Sequence, residues 1–209
     1  PYELVAGETD RVIESSLRLL ENAFSGERNL ESAVKEVAVL FKGIPCNEKT
    51  SKPEVAIFGD FYVRDHEIVN QGLIRFIEEA GGAVVTTPYH DYVKLQSANV
   101  IRRAYKRGHF HTGVLIKVLL SLLDVLDQKY YNPLESMLGM KAKINARNLE
   151  EHLKDFNVTP YLSGESSDNL LKIFHILEYH PDLSLFVQAN PAFCCPALIT
   201  EAMTRRIKH

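Results

Sequence analysis

Two of the chain's three cysteines stand side by side in "QANPAFCCPALITEAM", at Cys194 and Cys195, directly before a proline and a helix-like run. Unpaired amide N–H groups and the positive end of a helix dipole favour a thiolate at such a place. A thiolate there can ligate a metal or act as a nucleophile. The competing reading is packing, because free cysteine is among the most buried residue types. Adjacent side chains diverge, so one of the pair can face a site while the other packs. A disulfide between neighbours would be strained.

A second polar cluster, "GDFYVRDHE", follows an apolar run. It holds Asp60, Tyr62, Arg64, Asp65 and His66. Arg64 could clamp an anion through both arms of its guanidinium. Alternatively, Asp65 caps a helix and Arg64 forms a local ion pair. Other candidates carry less. Cys46 lies in a loop, "GIPCNEK", and reads as a bland surface or half-buried thiol. His109 and His111 in "HFH" lack a cysteine or carboxylate at zinc spacing and read as a polar pair at a helix start. "RRAYKR" is a basic helical patch whose ordinary reading is a solvated face, with anion or CoA phosphate binding as the alternative. No C-x-x-C, G-x-G-x-x-G, G-x-S-x-G or P-loop pattern occurs.

The elements that must hold these residues can be read from periodicity. "ETDRVIESSLRLLENAF" and "NLESAVKEVAVLF" carry apolar residues at helical spacing, Ile13, Leu17, Leu20 and Phe24 in the first, Leu30, Val34, Val37 and Phe41 in the second, with Asn29 as an N-cap. "EVAIFGD" is a continuous apolar run, the pattern of a strand buried on both faces. "HEIVNQGLIRFIEEAGG" follows as an amphipathic helix with Val69, Leu73, Phe76, Ile77 and Ala80 on one side, and "AVVTTP" is a second strand. Strand, helix and strand in this order predict a parallel crossover. "HDYVKLQSANVIRRAYKRG" and "TGVLIKVLLSLLDVLDQKYY" predict long helices. "SSDNLLKIFHILEYH" predicts a helix, "LSLFVQA" a third strand, and "PALITEAMTRRIK" a last helix with Pro196 suited to its first position.

The fold expected is therefore an incomplete Rossmann-like or flavodoxin-like α/β domain, a parallel sheet with flanking helices. It spans residues 51–209 with a helical insertion around 91–160, preceded by a helical segment over 1–50. Ligands in such folds sit beyond the carboxyl ends of the strands. "GDFYVRDHE", "TPYHDY" and "NPAFCCP" all fall there.

Composition bounds the function. The 209 residues are 45% hydrophobic and 24% charged, an ordinary globular balance. A net charge of −3 gives no global attraction to nucleic acid or an anionic membrane. The longest apolar stretch, "GVLIKVLLSLLDVL", is interrupted by Lys117 and Asp124 and is too short to span a bilayer. Three cysteines form no paired framework, which points to a reducing, cytoplasmic setting. The start at Pro1 and the helix still running at "RRIKH" read as a piece of a longer protein.

"KPEVAIFGDFYVRDHEIVNQGLIRFIEEAGGAVVTTP", the opening "PYELVAGETDRVIESSLRLLENAF", "GESSDNLLKIFHIL" and "NPAFCCPALITEAMTRRI" together resemble the dehydratase-like component of the 2-hydroxyacyl-CoA dehydratase and CoA-substrate-specific enzyme activase family. That family has a G-E-x-Y-V-R element after a strand, then a helix and "GGxVV", and later a P-F-x-C-x-P-G turn. The resemblance is thin between about residues 95 and 160. It implies an oxygen-sensitive protein of anaerobic chemistry, holding a [4Fe–4S] cluster on cysteines. An ATP-driven activator protein delivers one electron to it, and a CoA thioester loses water. Some relatives carry a double-cubane cluster and reduce small molecules. By position Cys194 matches the motif cysteine, Cys195 falls where relatives often have another residue, and Tyr62 and Arg64 match the Y-V-R element as a cofactor or anion contact. "GDF" replaces G-E-x, and "CPAL" lacks the glycine after proline. The remaining cluster ligands would have to lie outside this piece, which alone is expected to hold no complete cluster. Homo-oligomerisation stays open. The alternative is a Rossmann-like module that binds an anion or CoA, or docks the activator, without a redox role.

Overall fold

The structure is a computed structural model that describes residues 1–47, 51–138, 153, 156–158 and 166–207. Residues 48–50, the Gly164–Glu165 pair that opens "GESSDNLLKIFHIL" and most of the expected insertion beyond residue 138 lie outside the described residues.

The chain forms two compact units. One comprises Pro1–Ser51 with Ser121–Lys143, the other Lys52–Leu120 with Ile144–His209. In the first, α1 (Glu8–Phe24) and α2 (Leu30–Lys42) pack together. Asn29 caps α2, its side chain accepting from the Ser32 amide. Glu3 takes the place of a cap on α1, its two carboxylate oxygens accepting from the Gly7 and Thr9 amides at 2.8 and 2.7 Å. Cys46 is exposed and forms an isolated antiparallel bridge with Glu3. The apolar stripe expected on α1 is not its buried side. Ile13, Leu17 and Phe24 are exposed and Ser16 is buried.

The second unit is the α/β domain. Its parallel sheet has the order β2-β1-β3, with β1 at Glu54–Gly59, β2 at Ala83–Thr86 and β3 at Leu185–Ala189. Val55 pairs with Val84 on one side and Leu185 on the other. As central strand, β1 is buried on both faces, and the side-chain period of two splits it cleanly. Val55 and Ile57 join Ile77, Leu73 and Ile74 of α4 (Leu73–Glu79). Ala56 and Phe58 join Ile173, Ile176 and Leu177 of α7 (Ser166–Tyr179). The sheet thus carries helices on both faces, the incomplete Rossmann or flavodoxin-like arrangement that the strand pattern predicts.

Two more helices continue the chain, α5 (Tyr89–Lys106) and α6 (Phe110–Leu138), and α8 (Cys195–Ile207) closes it. The helix after β1 is not the single long one that its apolar periodicity predicts. A short α3 (Phe61–Asp65) follows the strand at once, and α4 begins only at Leu73. Between them Gln71 and Gly72 both adopt left-handed backbone, φ 57° and 69°. The Asn70 side chain holds this break: its oxygen accepts from the Gly72 and Leu73 amides and its amide donates to the Arg64 carbonyl. As a result Phe76 is 68% exposed, while Leu73 and Ile77 pack inward.

Candidate functional site

All three strand ends carry polar residues, and two constructions stand there. The first lies beyond β1 and β2. Asp60 caps α3, its carboxylate accepting from the Val63 amide at 2.9 Å. The cap is therefore Asp60 rather than Asp65. One turn on, Arg64 is only 2% exposed. Its Nε and Nη2 each donate to a different oxygen of Asp65 at 2.7 Å, and Nη1 donates to the Thr87 hydroxyl at 3.0 Å. All three guanidinium nitrogens are thus engaged within the chain, so the local ion pair describes Arg64 better than an open anion clamp.

Aromatic rings wall this knot. The guanidinium carbon lies 5.5 Å from the ring centres of both Phe61 and Tyr89. Lys172 of α7, also buried, places Nζ 4.7 Å from the Phe61 ring and 5.4 Å from Tyr92. Such contacts stabilise a cation out of water. Burial pushes the Asp65 carboxyl up, but hydrogen bonds from Arg64 and the Tyr89 hydroxyl, with the Arg64 charge, hold it below the usual aspartate range. The Tyr89 phenol is pushed above its usual range by its hydrogen bond to Asp65, by burial and by the carboxylate charge. Tyr62 stays outside. It is 65% exposed and its ring centre lies 4.8 Å from that of His66.

The second construction is at the end of β3. Gly59 has φ 120°, and a Cβ there would come within 2.3 Å of the Ala189 carbonyl oxygen. With only hydrogen in that place, the ends of β1 and β3 close together, and the Asp60 amide donates to both the Ala189 carbonyl and the Asn190 side-chain oxygen. The loop then turns: the Cys194 amide donates to the Pro191 carbonyl, and Phe193 is held at φ 61° with 91% of its surface exposed. Cys194 is the residue before the first helical residue, Cys195, and its carbonyl accepts from the Leu198 amide at 3.0 Å. Pro196 therefore stands second in α8, still in the first turn where its missing N–H costs no helical bond.

Cys194 is half-buried and lines a cleft of about 380 Å³ with Gln188, Asn190, Phe193, Leu198 and Glu201. Cys195 is exposed. The pair diverges as neighbouring positions should, one thiol on the cleft and one toward solvent. Among the described residues no group of three or more His, Cys, Asp or Glu side chains could hold a metal ion.

The sequence pointed to Cys194 and Arg64 as candidates but not to the residues that set their surroundings. Lys172 is a single charge among Leu170, Leu171 and Ile173, a signal that something polar faces that helix side. Asn190 and Thr87 carried no signal beyond lying after a strand. Glu201, two turns into α8 from Cys194, had the spacing to share its face.

No family model, no curated protein and no solved structure matches the chain. No helix among the described residues is long and apolar enough to cross a membrane.

Proposed function

We propose that this chain is part of an iron–sulfur, dehydratase-like protein of the cytoplasm. In this reading it receives electrons from an ATP-driven activator and acts on a CoA thioester or a small molecule. The observation that supports the reading is the position of Cys194: a half-buried thiol on a cleft beyond the carboxyl end of β3, immediately before the first residue of α8. Ligand sites of open α/β sheets lie at that edge. The donor set does not fit a complete [4Fe–4S] or double-cubane cluster, which needs several thiolates where the described residues at this strand end offer Cys194 and its outward-facing neighbour. The chain's part is accordingly to supply Cys194, with Cys195 as the weaker partner, to a cluster whose other ligands come from elsewhere.

The deciding experiment is anaerobic isolation of the full-length protein. Iron and sulfide in near-equal amounts, lost in Cys194→Ser and largely kept in Cys195→Ser, support the reading. A colourless protein after reconstitution with iron and sulfide rejects it. The incomplete donor set favours a second reading, a Rossmann-like module that binds an anion or CoA or docks the activator without redox chemistry. That module would leave iron content at background in every variant.

A further inference from the structure

A different place in the α/β unit carries its own charge pattern. The turn between α5 and α6 borders a surface cavity of about 450 Å³, lined by Val100, Arg103, Ala104, Arg107, His109 and Thr112. Among the described lining residues every ionisable group is basic, in a chain whose net charge is −3. Arg103 and Arg107 are one helical turn apart and so project from the same side of α5. Neither arginine side chain is paired with an acid among the described residues.

Cations at the end of α5 have an ordinary cause, since they complement the negative end of that helix's dipole. That cause explains neither the cavity nor the lack of an acid among the described residues that line it. It also leaves out the second helix. The chain reverses at Gly108, φ 78°, and α6 starts at Phe110, so His109 and Thr112 bring the first turn of a 29-residue helix to the same cavity. Gly113 keeps the two helices close, because a Cβ there would meet the Tyr105 ring at 2.6 Å. One wall is different in kind: Val100 and the buried Ala104 are apolar. The cavity is thus basic on one side, apolar on another and larger than an inorganic anion requires.

We infer that this cavity binds an organic phosphate ester, its phosphate between Arg103 and Arg107 and its organic group against Val100 and Ala104. Guanidinium forks match phosphate oxygens in geometry as well as charge. The inference stands apart from any cluster at Cys194, and its test needs no iron.

The probes are phenyl phosphate and inorganic phosphate, titrated calorimetrically into the full-length protein at low ionic strength. Phenyl phosphate should bind saturably, and inorganic phosphate should compete more weakly because it leaves the apolar wall uncovered. The double variant Arg103→Gln/Arg107→Gln should weaken phenyl phosphate by about tenfold or more, the usual effect of losing charge-assisted hydrogen bonds. Lys106→Gln removes a neighbouring charge that does not line the cavity, and should change affinity by less than about twofold. Both arginines lie at the surface or half-buried, so circular dichroism should show the variants folded. The inference is overturned by failure of phenyl phosphate to bind, by equal affinity for the two probes, by an unaffected double variant, or by an equal loss in Lys106→Gln.

Discussion

Arg64 and Asp65 are neighbours in sequence, yet the arginine turns back so that two of its nitrogens reach the two oxygens of the next residue, each at 2.7 Å. The third nitrogen reaches Thr87 at the end of β2. The guanidinium is therefore a strut between the segments after β1 and β2. Arg64→Met keeps the buried stem but strands the carboxylate of Asp65. Breaking a buried pair costs roughly 3–5 kcal/mol. The Asp65 side chain is 29% exposed and can recover some hydration, so the expected loss is about 2 kcal/mol by urea denaturation. Arg64→Lys should restore little, since an ammonium cannot serve three directions in one plane. A loss below about 0.5 kcal/mol in Arg64→Met, the range of ordinary surface changes, would show that the strut does not matter.

The same pair sets the pH response. The Asp65 carboxyl titrates below its ordinary range in the fold, so its contribution is present above the unfolded aspartate value and is lost as pH falls through the lowered one. Tyr89 titrates above its ordinary range, so its contribution is present at neutral pH and declines as pH rises past about 10, where the unfolded phenol ionises first. Tyr89→Phe should flatten the alkaline limb of a stability–pH curve and move the acid limb upward, because Asp65 loses a donor. An alkaline limb identical to that of the parent protein would disprove the Tyr89 assignment.

The closing of β1 on β3 should be intolerant of any side chain at residue 59. In Gly59→Ala, left-handed strain adds to a contact of 2.3 Å with the Ala189 carbonyl. A loss of roughly 2 kcal/mol or more follows from the two together. The bifurcated hydrogen bond from the Asp60 amide to Ala189 and Asn190 should open with it. Amide exchange at Asp60 reads that directly, and unchanged protection there would sink the claim.

Glu3 offers a local test in the helical unit. Hydrogen bonds from Thr9, side chain and backbone, and from the Gly7 amide bring its carboxyl down to about 2. The lowered value means that the cap persists in acid until pH falls through that value, well below the point at which an unfolded glutamate protonates. Glu3→Gln should speed amide exchange at Gly7 and Thr9 at neutral pH, while α2 stays protected through its own Asn29 cap. Equal protection of Gly7 and Thr9 in parent and variant would refute it.

Several of these features could be read in the sequence, and others had no local trace. β1 was legible because a strand buried on both faces needs apolar residues at every position, and Val55 to Phe58 supply them. Asn29 was legible because capping is decided within a few residues. The helix break at residues 66–72 was hidden, since Val69, Leu73 and Phe76 keep helical spacing across it. Only the Asn70-Gln71-Gly72 triplet marks the turn, and its left-handed pair depends on the Arg64 carbonyl for an anchor. The α1 stripe misled for another reason: periodicity shows that a helix has an apolar side, and Leu17 and Phe24 are nonetheless exposed in the fold. At the site, the place of Cys194 followed from element order. The engagement of Arg64 did not, because Thr87 lies 23 residues away and its hydroxyl is indistinguishable in sequence from that of Thr86.

Phe193 supplies the last test, because its backbone and its side chain make opposite demands. At φ 61° a residue with a Cβ is strained by about 1–2 kcal/mol, and the ring, 91% exposed, returns almost no packing. Phe193→Gly should remove the strain, while the wider freedom of glycine in the unfolded chain takes back roughly 0.5–1 kcal/mol. The net expectation is a stabilisation of about 0.5 kcal/mol, with Phe193→Ala close to the parent protein because it keeps the strain and loses only an exposed ring. Stabilities in urea separate the cases. If Phe193→Ala alone costs more than about 1 kcal/mol, the ring is packed against something and the exposure of this loop beside Cys194 is wrong.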